Sequence, residues 1–206
     1  MNERSFIFAP QLRARDEHKE ETIRKKGLEM IVKEGFDGFS MQKLAKAANV
    51  SPATLYIYYK NREDMLNKLY MDVHHKFTEV ALKGFDPEMN LRDGLRLQWK
   101  NRLRFITRYP VYFKFQEQFR NSPCINNKAV QVSDFKENMK QFVVNAVKRG
   151  EIKKTEPELF WAIAYGPFYS LVRFHLQNKS MMSESFKLTD AIVERLLDKI
   201  IYALKH

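Results

Sequence analysis

Apolar residues along this chain recur three and four positions apart, and no stretch alternates apolar and polar residues for long, so the pattern predicts helices and no strands. From Asp16 onward Ile23, Gly27, Met30 and Ile31 line one face of a first helix, which Gly35 is placed to stop. Ser40 is a good N-cap for a second helix reaching about Asn49. Ser51 starts a third, with Pro52 at the first helical position, where its missing N–H costs nothing. Asn61 caps a fourth, whose Glu63 and Asp64 suit the helix dipole and whose Met65, Leu66, Leu69, Met71 and Val73 carry the pattern towards Lys83. A loop over 84–90, containing Pro87, is the clearest break between a head and a body. Five more helices are predicted at 91–108, 110–121, 128–149, 156–177 and 189–205. The expected fold is all-α with about nine helices: a flexible arm over 1–15, a three-helix head over 16–72 and a helical-bundle body over 73–206.

Composition supports this picture. Hydrophobic residues make up 44% and aromatic residues 13%, enough for a substantial core, while only 7 Gly and 7 Pro occur. The one cysteine, Cys124, permits no intramolecular disulfide and is expected as a small buried residue in a reducing compartment. Residues 1–19 lack the apolar stretch of a signal peptide, and the longest uncharged run, 159–172, is too short to cross a bilayer. A cytoplasmic protein with no membrane partner is expected. His74 and His75 are adjacent and point apart on a helix, His175 stands alone, and no phosphate loop or nucleophile motif is visible. No metal, cofactor or catalysis is therefore expected.

The net charge of +11 invites a nucleic-acid reading, yet it is unevenly spread. Residues 1–72 hold 13 Lys+Arg against 11 Asp+Glu, so most of the excess lies in the body. A non-specific DNA binder would need a strongly basic head. More informative is the stretch 38–62, which contains Lys43, Lys46, Lys60 and Arg62 and no acidic residue.

That stretch also has the chemistry of a helix-turn-helix. Ala45 is small enough for a helix–helix contact, and Asn49 tolerates the left-handed turn position. Leu44, Ala48, Val50, Leu55 and Tyr58 supply the packing seam. Tyr56, Tyr58 and Tyr59 cannot all face one core, so at least one must be exposed. The run VSPATLYIYYKNREDML resembles the signature of the TetR family of transcriptional regulators, and the match extends over about residues 20–72. The resemblance implies that the third helix enters the major groove of a palindromic operator, with Thr54, Tyr56 and Tyr58 foremost. Lys60 and Arg62 would hold phosphates, with Ser51, Ala53, Met41, Gln42 and Lys43 adding contacts. Tyr58 departs from a histidine common in the family.

In the body, the last helix carries Ile192, Val193, Leu196, Leu197, Ile200, Ile201 and Leu204, and the one before it is apolar nearly all round. An all-apolar helix needs partners on two sides, and the resemblance implies a homodimer joined through these residues together with Phe168, Leu171, Val172 and His175. Aromatic residues crowd the body. An effector pocket is expected among Trp99, Phe105, Tyr109, Phe113, Phe119 and Phe142, continuing through Trp161, Tyr165, Phe168 and Tyr169. Arg92, Arg96, Lys100, Arg104 and Arg108 spiral around their helix and are expected in solvent, whereas Arg102 lies beside Leu95, Trp99 and Leu103 and is placed to project inward. Acidic residues are scarce there, which favours an apolar or anionic small molecule. The reading that results is a repressor released from its operator by a small, largely apolar effector. A helical-bundle enzyme is disfavoured because no catalytic constellation is seen.

Overall fold

The computed structural model describes the backbone of residues 5–120 and 134–205 and the side chains of residues 17–119 and 134–205. Among the described residues there are nine helices and no strand: α1 Ser5–Gly38, α2 Met41–Ala47, α3 Pro52–Tyr58, α4 Arg62–Ala81, α5 Leu91–Arg108, α6 Pro110–Arg120, α7 Asp134–Lys148, α8 Pro157–Gln177 and α9 Asp190–Lys205. Helix α1 begins at Ser5, so most of the segment expected as a flexible arm is helical. Cys124 and the expected first turns of the seventh helix lie outside the described residues. No described helix is long and apolar enough to cross a membrane.

The chain forms two compact units. The first draws its described residues from Met1–Lys76 and Tyr109–Lys128, the second from Phe77–Arg108 and Ala129–His206. The break therefore falls within α4 rather than at the loop over 84–90, and α6, expected in the body, belongs to the first unit. The reason is aromatic. Phe115 and Phe119 of α6 are fully buried, and Phe119 packs against Phe36 at 5.4 Å and stacks on Tyr70 at 4.4 Å. Gln118 adds a hydrogen bond of 3.1 Å to the Val32 carbonyl.

Local chemistry explains the first unit. Gly35 sits at φ +74°, which interrupts α1 as expected of a left-handed stop. The Ser40 side chain accepts from the Lys43 N–H, and the Ser51 side chain accepts from the Thr54 N–H. Between α2 and α3, Asn49 takes φ 54°. Leu44, Ala45, Leu55, Tyr59 and Leu69 then close a core with Ile23 and Ile31.

In the second unit, buried amides do the joining. Gln98 Nε2 donates to the Ala81 carbonyl at 3.0 Å, and Asn101 Nδ2 to those of Ala81 and Lys83 at 3.1 and 2.8 Å. The end of α4 thus has partners for carbonyls that a helix leaves open. Buried Trp99 donates Nε1–H to the Ala164 carbonyl of α8 at 3.1 Å and stacks on Phe168 at 5.2 Å. Gly94 allows close approach, since a Cβ there would lie 2.4 Å from the Phe142 ring. Two of the arginines expected in solvent are partly exposed and also tie α5 to α9: Arg92 bonds Asp198, and Arg96 holds Glu194 with bonds of 2.6 and 2.9 Å.

Candidate functional site

The surface around α2 and α3 has the strongest chemical pattern. Leu55 and Tyr59, four residues apart, both turn into the core, and this fixes the opposite side of α3 as its outer face. Tyr56 is 56% exposed and Ile57 77% exposed there. Gln42, Lys43, Lys46, Ser51, Ala53 and Lys60 are also exposed, and Thr54 and Tyr58 are half-covered. The face thus offers hydroxyls, an amide, ammonium groups and an apolar side chain, with no carboxylate within 38–62. Donors of this kind suit phosphate oxygens and base edges, and Ile57 suits a thymine methyl.

Several expected contacts are otherwise engaged. Met41 opens α2 but is buried beneath it, so its side chain belongs to the core. Arg62 turns inward: its Nη2 donates to the Phe36 carbonyl and its Nε to that of Phe39, with the guanidinium 5.9 Å over the Phe39 ring. Arg62 therefore fastens the end of α1 while staying partly exposed. Lys43 remains exposed while bonding Glu34 at 3.2 Å and the Gly38 carbonyl at 2.9 Å. Ser51 and Thr54 share a hydroxyl–hydroxyl bond of 2.8 Å, so α3 begins with its cap already formed. At the start of α4, burial pushes the Asp64 carboxyl up, but bonds from the Lys60 N–H and the Lys68 ammonium outweigh it and hold the group below its usual range.

Two exposed residues, Lys46 and Ile57, were not among those expected. Lys46 could have been found in the acid-free stretch, and Ile57 from the Leu55–Tyr59 spacing.

The second unit brings together part of the expected pocket. Arg102, 1% exposed, lies among the rings of Phe77, Phe135, Trp161, Tyr165 and Tyr169, its Cζ 4.4 to 5.9 Å from their centroids. Its Nη1 donates to the Tyr169 hydroxyl at 2.8 Å, while Nε and Nη2 are buried without a hydrogen-bond partner. Burial pushes the Tyr165 hydroxyl up to about 12, although the Arg102 cation and a hydrogen bond with it pull the other way. Phe105 packs edge-on against Phe77, and Trp99, Phe142 and Phe168 are buried core. Tyr109, Phe113 and Phe119 belong to the first unit.

The expected dimer stripe is also divided. Phe168, Val172, Leu197, Ile200 and Leu204 are buried within the chain itself, because α8 and α9 pack on each other and on α5, and cannot offer area to a partner. Leu171, His175, Ile192, Val193, Leu196 and Ile201 are half-buried. His175 is further used locally, its Nδ1 accepting from the Leu188 N–H at 3.3 Å. The open side of α8 presents Ala162, Gly166, Ser170 and Leu176, and α9 presents Tyr202 and Ala203.

Known proteins share this arrangement. The family described as bacterial regulatory proteins, tetR family, matches residues 23–69. A TetR family transcription regulator from Marinobacter aquaeolei, solved by crystallography, is 31% identical with a TM-score of 0.74, covering 93% of this chain and 98% of that one. An uncharacterised HTH-type transcriptional regulator of Haemophilus influenzae is 32% identical over 94 residues, which span 46% of this chain and 50% of the relative. The negative transcriptional regulator of the icaADBC biofilm operon of Staphylococcus epidermidis, IcaR, is 22% identical over 83% of this chain and 89% of its own length.

Proposed function

Because the chain belongs to the TetR family of helix-turn-helix transcriptional regulators, we propose that it is a dimeric repressor that reads a palindromic operator through α3 and leaves it when a small effector binds the second unit. The observation that carries this reading is the outer face of α2 and α3. Tyr56, Ile57 and Gln42 supply groups able to read bases, Lys46 and Lys60 supply charge for phosphates, and the stretch 38–62 that carries them holds no acidic residue. A stabilised cap at Ser51 lets α3 present these groups in one geometry.

Half-sites of a palindrome lie one helical turn, roughly 34–36 Å, apart, so a second copy must hold two α3 helices at that spacing. The small exposed row Ala162, Gly166 and Ser170, flanked by Leu176 and by Tyr202 of α9, is the face we assign to that contact. Small side chains let two helices approach closely, and the buried residues beneath them need no further cover. Repression, rather than activation, takes support from the negative regulator IcaR among the relatives. Helix α4 is continuous from Arg62 to Ala81, so its residues contribute to both units. A small swing of this helix on effector binding would change the spacing of the two α3 helices and release the operator. The chain acts in the cytoplasm on this reading.

Genomic fragments retained by the purified protein identify the operator, and fluorescence anisotropy then measures its affinity. The double variant Tyr56→Ala with Lys60→Ala should lose roughly tenfold or more in operator affinity at fixed salt. Both side chains are exposed, so its melting temperature should match the parent's. Unchanged specific binding would refute the assignment of this face.

A further inference from the structure

Arg102 is an anomaly in the second unit. A buried guanidinium normally spends its five N–H donors on carboxylates, carbonyls or hydroxyls. Here Nη1 reaches the Tyr169 hydroxyl, while Nε and Nη2 are buried without a hydrogen-bond partner. Among the described residues no acidic side chain comes within ion-pair distance of Arg102, and the stretch 121–133 contains no Asp or Glu. The five surrounding rings offset part of the charge through their faces. Ring faces do not supply what in-plane N–H groups need, which is an oxygen lone pair. The cluster is thus an apolar and cationic lining in which two in-plane N–H groups find no acceptor within the chain.

We propose that Arg102 anchors the carboxylate of an amphiphilic organic acid, whose apolar body packs against Phe77, Phe135 and Trp161. Two adjacent N–H groups, Nε and Nη2, form the edge of the guanidinium that takes a carboxylate in two parallel bonds. Entry runs past Phe135 and Trp161, since Phe135 is half-covered and Trp161 is 39% exposed. The inference rests on the effector-release reading for its biological meaning but not for its chemistry. It sharpens that reading from a largely apolar effector to one with a negative head, and it disfavours cations, which Arg102 repels.

The test uses the full-length protein. Sodium decanoate, sodium benzoate and indole-3-acetate are each compared with the corresponding neutral amide, following tryptophan emission and melting temperature. At least one carboxylate should bind about tenfold more tightly than its amide, a ratio expected of a bidentate charge-assisted contact. Arg102→Met should erase the difference between acid and amide, and Arg102→Lys, which keeps the charge without the fork, should recover part of it. Arg102→Met should also melt no lower than the parent without ligand, because it removes an unpaired buried charge. The proposal is overturned if acid and amide bind alike, if no carboxylate moves either signal, or if Arg102→Met melts several degrees lower. Operator release, measured separately, distinguishes the two readings. A carboxylate bound through Arg102 that leaves the operator complex intact supports this site and removes effector release. Specific operator binding without carboxylate binding removes this site and leaves DNA recognition standing.

Discussion

Each unit of this protein draws one arginine away from solvent, and the two are accommodated in opposite ways. Arg62 in the first unit lies over Phe39 and gives hydrogen bonds to the Phe36 and Phe39 carbonyls, where α1 ends. Its partners are backbone atoms that the fold fixes in place, and the charge helps to hold a helix terminus. Arg102 in the second unit also lies over aromatic rings, more of them, yet the hydrogen bonds it gives go to tyrosine hydroxyls, and Nε and Nη2 have no partner. Arg62 keeps some contact with solvent and spends Nε and Nη2 on backbone carbonyls, whereas the same two nitrogens of Arg102 are fully buried with no hydrogen-bond partner; the first arginine serves the fold, and the second points outside the chain.

The first unit solves the same problem once more with a group that can adapt. His74 is half-buried and stacked on Tyr70 at 6.0 Å, and burial, followed by the nearby His75, lowers its pKa. A histidine escapes the cost of burial by giving up its proton, which an arginine cannot do.

These contrasts can be broken by substitution, beginning with the largest effect. Trp99→Ala should cost about 3–5 kcal/mol, since it removes a fully buried indole stacked on Phe168 and the hydrogen bond to Ala164. Chemical denaturation measures this, and a cost below about 1 kcal/mol would mean that the second unit is too loosely packed for the argument about Arg102. Next, Arg62→Met should destabilise by about 1–3 kcal/mol, because two carbonyls lose their donor. Arg102→Met should show no such loss, and equal losses for the two would dissolve the comparison. The smallest effect is in pH. With a folded-state pKa below the unfolded 6.5, His74 contributes stability that is present at neutral pH and lost as pH falls from about 6.5 through the folded value. Urea midpoints between pH 7.5 and 5 should therefore decline, and His74→Phe should flatten that slope; an identical slope in the variant would assign it to other groups.

The sequence was most legible where structure is local. Ser40, Asn49, Ser51 and Pro52 each act within a few residues of themselves, and caps and turn φ angles follow from their own chemistry. Helix positions were readable for the same reason. What was not legible depended on partners distant in the chain. Met41 reads as a surface residue at a helix start, yet it is buried in the core that α2 shares with the other helices of the first unit. That Arg62 bonds the Phe36 and Phe39 carbonyls is invisible from its own place in the chain. Tyr109, Phe113 and Phe119 share the aromatic character of the second unit, and only the packing of α6 against α1 separates them from it. For the dimer, an apolar stripe revealed that α9 must be covered, but not whether by its own chain or by another copy. Arg102 was predicted to point inward from its apolar neighbours, while its idle donors are a property of three dimensions alone.

The end of α4 also differs in kind from the other joints of the second unit. Arg92 with Asp198 and Arg96 with Glu194 are exposed ion pairs, which added electrolyte weakens. Gln98 and Asn101 hold the carbonyls of Ala81 and Lys83 through neutral amides, buried and without a titrating proton. That joint is insulated from ionic strength and acidity alike. A cell whose potassium content rises under osmotic stress would loosen protein–DNA contacts and surface ion pairs together, while this seam keeps its strength.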